Sequence, residues 1–267
     1  MKLARYSLLA AISLLLLAQA CQKVPLTGRR QLHLLPSALV MNLSFTSYSD
    51  FLKTHPPLPQ THQTSLDVRE TGIKISQAVT QYMKDHAYSS RLQGYQWEFQ
   101  AVDNKEANAW CMPGGKVVVY TGIMPMARDK EGLAVVMGHE IAHAVAGHGN
   151  ERMSQLLAMQ LGGLSLELAM QNQPEKTRDI FLMAYGVGST LGQLAYSRQH
   201  ELEADRLGLI FMAMAGYNPQ RAITFWQEMA AAGGNKPPEF LSTHPSDTRR
   251  IAQIKKYLPE AMKYYKP

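Results

Sequence analysis

His139-Glu140-Ile141-Ala142-His143 sets two imidazoles four residues apart around a carboxylate. On an α-helix, positions i and i+4 differ by about 40° around the axis, so both rings leave one face and can share one tetrahedral ion. Glu140 lies about 100° from His139, close enough to reach a water at the metal without binding the metal itself. Leu133, Val135, Val136, Met137, Ile141 and Val145 surround the pair, so this helix is expected to run through the core. A single buried histidine is usually structural. Two at this spacing around a glutamate point to zinc.

Two arrangements could supply a third ligand. One class of zincins uses glycine and histidine three and six residues after the second histidine. Those positions hold Ala146 and Gly149 here, while Gly147 and His148 are displaced by one. In a helix continuing past Gly147, His148 would face away from His139, and it reads as a polar residue at a helix end. The other class draws a glutamate from a later helix, and Glu201-Leu202-Glu203-Ala204-Asp205 provides one. Glu201 and Asp205 share a helix face, whereas Glu203 points elsewhere. Glu201 is therefore expected on the metal, with Asp205 accepting the second ring N–H of a ligand histidine. A solvated acidic helix start is the bland alternative; apolar Leu202, Leu207, Leu209, Ile210 and Phe211 argue for burial of one side. Three protein ligands and an open position characterise catalytic zinc, with Glu140 taking a proton and later delivering it to a leaving amine.

These residues need elements to hold them. Leu66–Tyr82 has helix-compatible apolar spacing, and Tyr95–Ala101 alternates with a period of two, as a half-buried strand does. Asn108–Met112 is a second strand candidate. Pro113-Gly114-Gly115 makes a turn into Lys116–Thr121, whose consecutive valines predict a strand covered on both faces. Beyond Gly122 the pattern is helical, over 129–147, 151–171, 177–196, 198–215, 219–232 and 246–257. The fold class is α+β and zincin-like: mainly helical, with a small antiparallel or mixed sheet ahead of the metal-binding helix. The proline-rich stretch 21–63 reads as a tether and wrap, and 64–267 as the catalytic domain. Neither 156–170 nor 180–196 is a convincing membrane span.

At the N-terminus, Lys2 and Arg5 precede an apolar run from Leu8 to Ala18 and then Ala18-Gln19-Ala20. Residues 1–20 read as a secretory signal peptide. Cys21 directly after it resembles the lipobox of bacterial lipoproteins, although that motif prefers Leu where Ala18 stands. The expectation is a lipid attached at Cys21 and an envelope lipoprotein facing the periplasm. Gln22, not Asp, implies the outer membrane. Cleavage by ordinary signal peptidase would instead leave a soluble periplasmic protein. The net charge of +6 is mild and carried by no dense Lys/Arg tract, so nucleic-acid binding is not indicated. With Cys21 acylated, Cys111 has no internal disulfide partner.

His139–His143 with Glu201-x-x-Ala204-Asp205, Asn108-Ala109-Trp110, Pro113-Gly114-Gly115 and the late Thr243-His244-Pro245 with Arg249 together resemble the CAAX prenyl protease/HtpX-like gluzincin peptidases. The likeness covers roughly 95–260 and is strongest to the bacterial lipoprotein and mitochondrial inner-membrane quality-control branch, whose Val24-Pro25-Leu26-Thr27-Gly28-Arg29-Arg30 stretch also matches. Unlike membrane-embedded relatives, this chain shows no spanning helices around the catalytic region. The resemblance implies one Zn2+ per chain and unfolded or damaged envelope proteins as substrates. It also implies that His244 or Arg249 approaches the zinc side of the cleft, His244 even on the metal of a latent resting enzyme. Strand addition at Asn108–Met112 would hold an extended substrate, with Asn108 contacting it or, alternatively, capping a turn. A zinc-containing envelope chaperone without proteolysis and a cell-wall peptide hydrolase are the competing readings.

Overall fold

The computed structural model describes residues 21–161, 174–185, 197–231, 240–241, 244 and 248–266. A hairpin of β1 (Cys21–Lys23) and β2 (Arg30–Leu32) opens the described residues, followed by α1 (Ser37–Thr54) and α2 (Gln63–Asp85). A three-stranded sheet follows, from β3 (Glu98–Val102), β4 (Ala109–Met112) and β5 (Lys116–Tyr120). Helices complete the described chain: α3 (Met124–Ala127), α4 (Lys130–Ala146), α5 (His148–Leu161), α6 (Pro174–Ala184), α7 (Arg198–Met214), α8 (Arg221–Ala231) and α9 (Thr248–Ala261). The signal-peptide reading of 1–20, most of the apolar stretches 156–170 and 180–196, and Thr243 and Pro245 lie outside the described residues. Among those described, no helix is long and apolar enough to cross a membrane.

The sheet is mixed. Central β5 runs parallel to β3, with Glu98 opposite Lys116, and antiparallel to β4, with Ala109 opposite Val119; β4 is therefore an edge strand. Every residue of β5 is buried. Val117 and Val119 join Ala109 and Cys111 in the core beneath α2 and α4, while Val118 and Tyr120 join Trp110 and Met112 on the opposite face. Alternation thus divides the strand between two apolar layers.

Helix α1 supplies that opposite layer. Tyr48 and Phe51 meet Trp110 edge to face, at ring centroid distances of 6.4 and 5.0 Å. The reading of 21–63 as extended wrap weighed the density of prolines and overlooked their placement. Pro36 is the N-cap of α1 and Pro56 follows its end, so the prolines bound a proline-free stretch of helical length. Within it, Val40, Ser44, Ser47 and Tyr48 form one buried stripe.

Caps and glycines set α4 in place. The Asp129 side chain accepts a hydrogen bond from the Gly132 N–H at 2.7 Å, and the helix stops at Gly147, whose φ of 78° is left-handed. Where α4 crosses α7, Gly138 faces Gly208. A Cβ added at Gly208 would stand 3.0 Å from the Gly138 carbonyl carbon and from the His139 backbone nitrogen. This close approach brings the histidine face of α4 against the acidic first turns of α7.

Candidate metal centre

Four side chains converge between α4, α7 and the segment leading to α9. His139 Nε2 lies 3.0 Å from His143 Nε2 and 3.1 Å from His244 Nδ1. Glu201 Oε1 lies 3.3 Å from His143 Nε2 and 3.0 Å from His244 Nδ1. All four residues are buried. Nitrogen and oxygen ligands about 2.0–2.1 Å from a shared tetrahedral ion would stand about 3.3 Å apart. The cluster has nearly that spacing.

The proton positions explain why a cation belongs there. His139 Nδ1 lies 3.0 Å from Asp205 Oδ1, which can only accept, and 3.2 Å from Arg250 Nη2, which can only donate; the closer carboxylate places the proton on Nδ1. His148 Nε2 lies 3.1 Å from Glu203 Oε2 and donates to it, leaving His148 Nδ1 to accept the N–H of His143 Nδ1 at 3.0 Å. This network assigns unprotonated Nε2 atoms to both metal-face histidines. Two lone pairs and a carboxylate oxygen facing one another repel; Arg250 Nη2, 3.3 Å from His139 Nε2, offsets part of this, and a metal ion among the donors would offset more. The donor set of imidazoles and one carboxylate suits zinc. His139, His143 and Glu201 would hold the ion, with His244 Nδ1 as a fourth donor.

Glu140 is buried beside this cluster but is not one of its four converging groups. Burial pushes its carboxyl up to about 7 against the opposing influence of His244. Its Oε1 lies 3.2 Å from His244 Nε2, without an aligned hydrogen bond. Burial also pushes the Glu201 carboxyl up, but His244, Arg250 and the adjoining imidazoles of His139 and His143 outweigh it and hold it well below the usual carboxylate range.

The late basic residue at the site is Arg250. Arg249 is exposed on α9, whereas Arg250 is 3 % exposed and grips Asp205 with two hydrogen bonds, of 2.7 and 2.8 Å. Its Nη1 stands 2.8 Å from Glu201 Oε2 in an ion pair that is not aligned as a hydrogen bond. The guanidinium also lies over the Trp226 ring, 3.4 Å from the centroid. Neighbouring helix residues differ by about 100°, so a shift of one residue turns a surface arginine into a buried one.

Asn108 sits at the start of edge strand β4. Its Oδ1 accepts the Ala109 N–H at 2.9 Å and its carbonyl accepts the Tyr120 N–H at 3.0 Å, the arrangement of a cap. The preceding residue, Ala107, accepts the Phe240 N–H at 2.9 Å. Phe240 and His244 thus tie one segment both to the strand and to the metal cluster.

His148 and Glu203 take places that the helical-wheel argument missed. The left-handed turn at Gly147 ends α4, and α5 restarts at His148 in a new direction, so His148 contacts His143 and is fully buried. Glu203 does point away from the metal cluster, but into a second buried network. A helix-stopping glycine, Gly147, directly ahead of His148 was the available signal.

A model of Peptidase family M48 matches residues 74–258. The chain is 33 % identical over 246 residues to the mitochondrial metalloendopeptidase OMA1 of Schizosaccharomyces pombe, covering 89 % of this chain and 66 % of that protein. It is 30 % identical over 249 residues to the mitochondrial metalloendopeptidase OMA1 of Homo sapiens, covering 90 % and 46 %. It is also 30 % identical over 166 residues to the beta-barrel assembly-enhancing protease of Escherichia coli (strain K12), covering 60 % and 34 %. The matches therefore span between about a third and two thirds of these relatives' own lengths.

Proposed function

The chain belongs to peptidase family M48, and on that premise we propose that it is a zinc-dependent endopeptidase of the bacterial cell envelope that removes unfolded or damaged proteins. The observation that carries this reading is the convergence of His139, His143 and Glu201 beside a buried carboxylate that does not join them. Zinc held there supplies Lewis acidity, polarising a scissile carbonyl and acidifying water. Glu140 takes the proton from the attacking water and delivers it to the leaving amine; a carboxyl pushed up to about 7 is suited to both tasks. Asp205 keeps the His139 proton on Nδ1, and Arg250 fixes Asp205 in turn.

Strand β4 is the outer strand of the described sheet, and addition of an extended chain along it would favour unfolded substrates. A cavity of about 750 Å³ lies where this strand ends, bounded in part by Met41, Tyr95, Pro113, Ala144 and Gly147. Phe240 and His244 compete with substrate: Phe240 occupies the Ala107 carbonyl and His244 occupies the fourth donor position. The resting enzyme is therefore latent, and displacement of these two residues opens it.

Degradation of an unfolded model protein by the zinc-loaded chain tests both statements. Wild type should cleave it slowly and lose activity to a chelator. His244→Ala should raise turnover and weaken zinc binding; an open state populated at about a tenth makes the gain about tenfold. Absence of cleavage by either protein would overturn the peptidase reading. Equal turnover and zinc affinity would overturn latency alone.

The lipobox-like residues before Cys21 support lipid attachment there, and Gln22 in place of Asp supports the outer membrane, facing the periplasm. Cys21→Ser should then move the protein from the membrane to the soluble fraction and abolish incorporation of labelled fatty acid. Retention of both would refute this placement.

A further inference from the structure

The β1–β2 hairpin reaches the metal centre through buried side chains far from it in sequence. Arg29, at the end of the Val24–Arg30 turn, donates from Nε to Glu203 Oε1 and Oε2 at 3.0 and 2.9 Å. Thr27 Oγ1 adds a bond to Glu203 Oε1 at 2.7 Å. The other edge of the guanidinium donates to Glu151 Oε1 and Oε2 at 2.8 and 2.7 Å. Each carboxylate then holds a histidine: Glu203 holds His148 at 3.1 Å, and Glu151 holds His200 at 3.0 Å. The two rings stack, with centroids 4.5 Å apart and planes inclined by 19°. His148 touches His143 at 3.0 Å.

We propose that Arg29 is a positioning residue for the metal ligand His143, acting through Glu203 and His148. The inference rests on the reading of His143 as a zinc ligand. The path works through tautomers. Glu203 can only accept, so it fixes the His148 proton on Nε2 and leaves Nδ1 as an acceptor. That acceptor fixes the His143 proton on Nδ1 and turns the Nε2 lone pair toward the cluster. If His148 reversed its tautomer, its Nδ1–H would face His143, and His143 would have to place its proton on the metal side.

Glu203 cannot hold this position alone. It faces Glu151, and both are 5 % exposed, so two carboxylates share a site that water barely reaches. One guanidinium answers both with parallel bonds, a geometry that lysine does not offer. The hairpin that contains the candidate lipid attachment residue, Cys21, thereby becomes part of the metal site's outer support.

A purely structural role predicts a different result, and Arg221 provides the comparison. Its side chain is 14 % exposed against 15 % for Arg29, and it also faces two carboxylates, Asp129 and Glu228, remote from the cluster. Zinc dissociation constants of the full chain, measured by competition with a chromophoric chelator, separate the roles. Arg29→Met should weaken zinc binding about tenfold, in the range found when outer-shell partners are removed. Arg221→Met should lower the unfolding temperature while changing zinc affinity less than about twofold. In a His148→Phe background, itself weakened, Arg29→Met should add no further loss.

Unchanged zinc affinity in Arg29→Met would overturn the proposal, and a full additional loss in the His148→Phe background would overturn the path. If Arg29→Met does not fold, Glu203→Gln keeps the shape of the side chain and carries the same test: a similar loss supports the path, and wild-type affinity overturns it. A wild-type chain that binds no zinc would refute the metal reading itself, and this inference with it.

Discussion

Glu140→Gln leaves zinc bound and lowers the rate of peptide hydrolysis at least about a hundredfold, the lower end of what a positioned general base contributes. The substitution preserves size and removes only the ability to take a proton. Glu140 is 4 % exposed and lies outside the four converging donors, so metal content should match wild type. Its Oε1 makes no aligned hydrogen bond that the amide would forfeit, and the fold should be unaffected. Metal content and cleavage of an unfolded protein, measured on the same preparation, check both halves. Wild-type hydrolysis by the variant would remove Glu140 from the mechanism. Loss of zinc would make it a ligand instead of a base.

The second large effect concerns stability and separates two adjacent arginines. Arg250→Met leaves Asp205 without its paired donors and Glu201 without its cationic neighbour, in a place where all three residues are 3–4 % exposed. Breaking a buried charge network from one side costs about 3–5 kcal/mol. For a chain of this size that lowers the unfolding temperature by about 10 °C. Zinc at Glu201 should offset part of the loss, so the metal-free protein shows it most fully. Arg249→Met, on the exposed side of α9, should stay within about 0.5 kcal/mol of wild type. Urea unfolding of both metal-free variants gives the comparison. A cost below about 1 kcal/mol for Arg250→Met, or equal costs for the two, would show that the observed network does not hold the site.

Because Arg250 also holds Asp205, which orients His139, activity should fall in Arg250→Met even in the folded, zinc-loaded protein. That loss would follow from misdirection of a ligand and not from removal of a group that touches substrate.

Local geometry made much of this site legible in the amino-acid order. His139 and His143 share a face because a helix repeats every 3.6 residues, and Glu201 and Asp205 share another for the same reason. The valine run of β5 signalled burial on both faces, since alternation is lost when neither side meets water. Those inferences need only a window of a few residues.

What the tertiary structure decided lies beyond such a window. Whether Arg249 or Arg250 faces the metal depends on the rotation with which α9 docks, and the order of residues does not encode a docking angle. His148 entered the site because the left-handed turn at Gly147 redirected the chain, so a wheel drawn through the break gave the wrong face. Arg29 and Glu203 stand 174 residues apart and meet only because the hairpin folds back onto α5 and α7. Helix α1 was hidden by averaging over its proline borders, and its role emerged only when the second face of the sheet required an apolar cover. Periodicity thus identified the groups that perform chemistry, because each pair lies within one helix. The residues that orient them come from separate elements, and only packing brings those elements together.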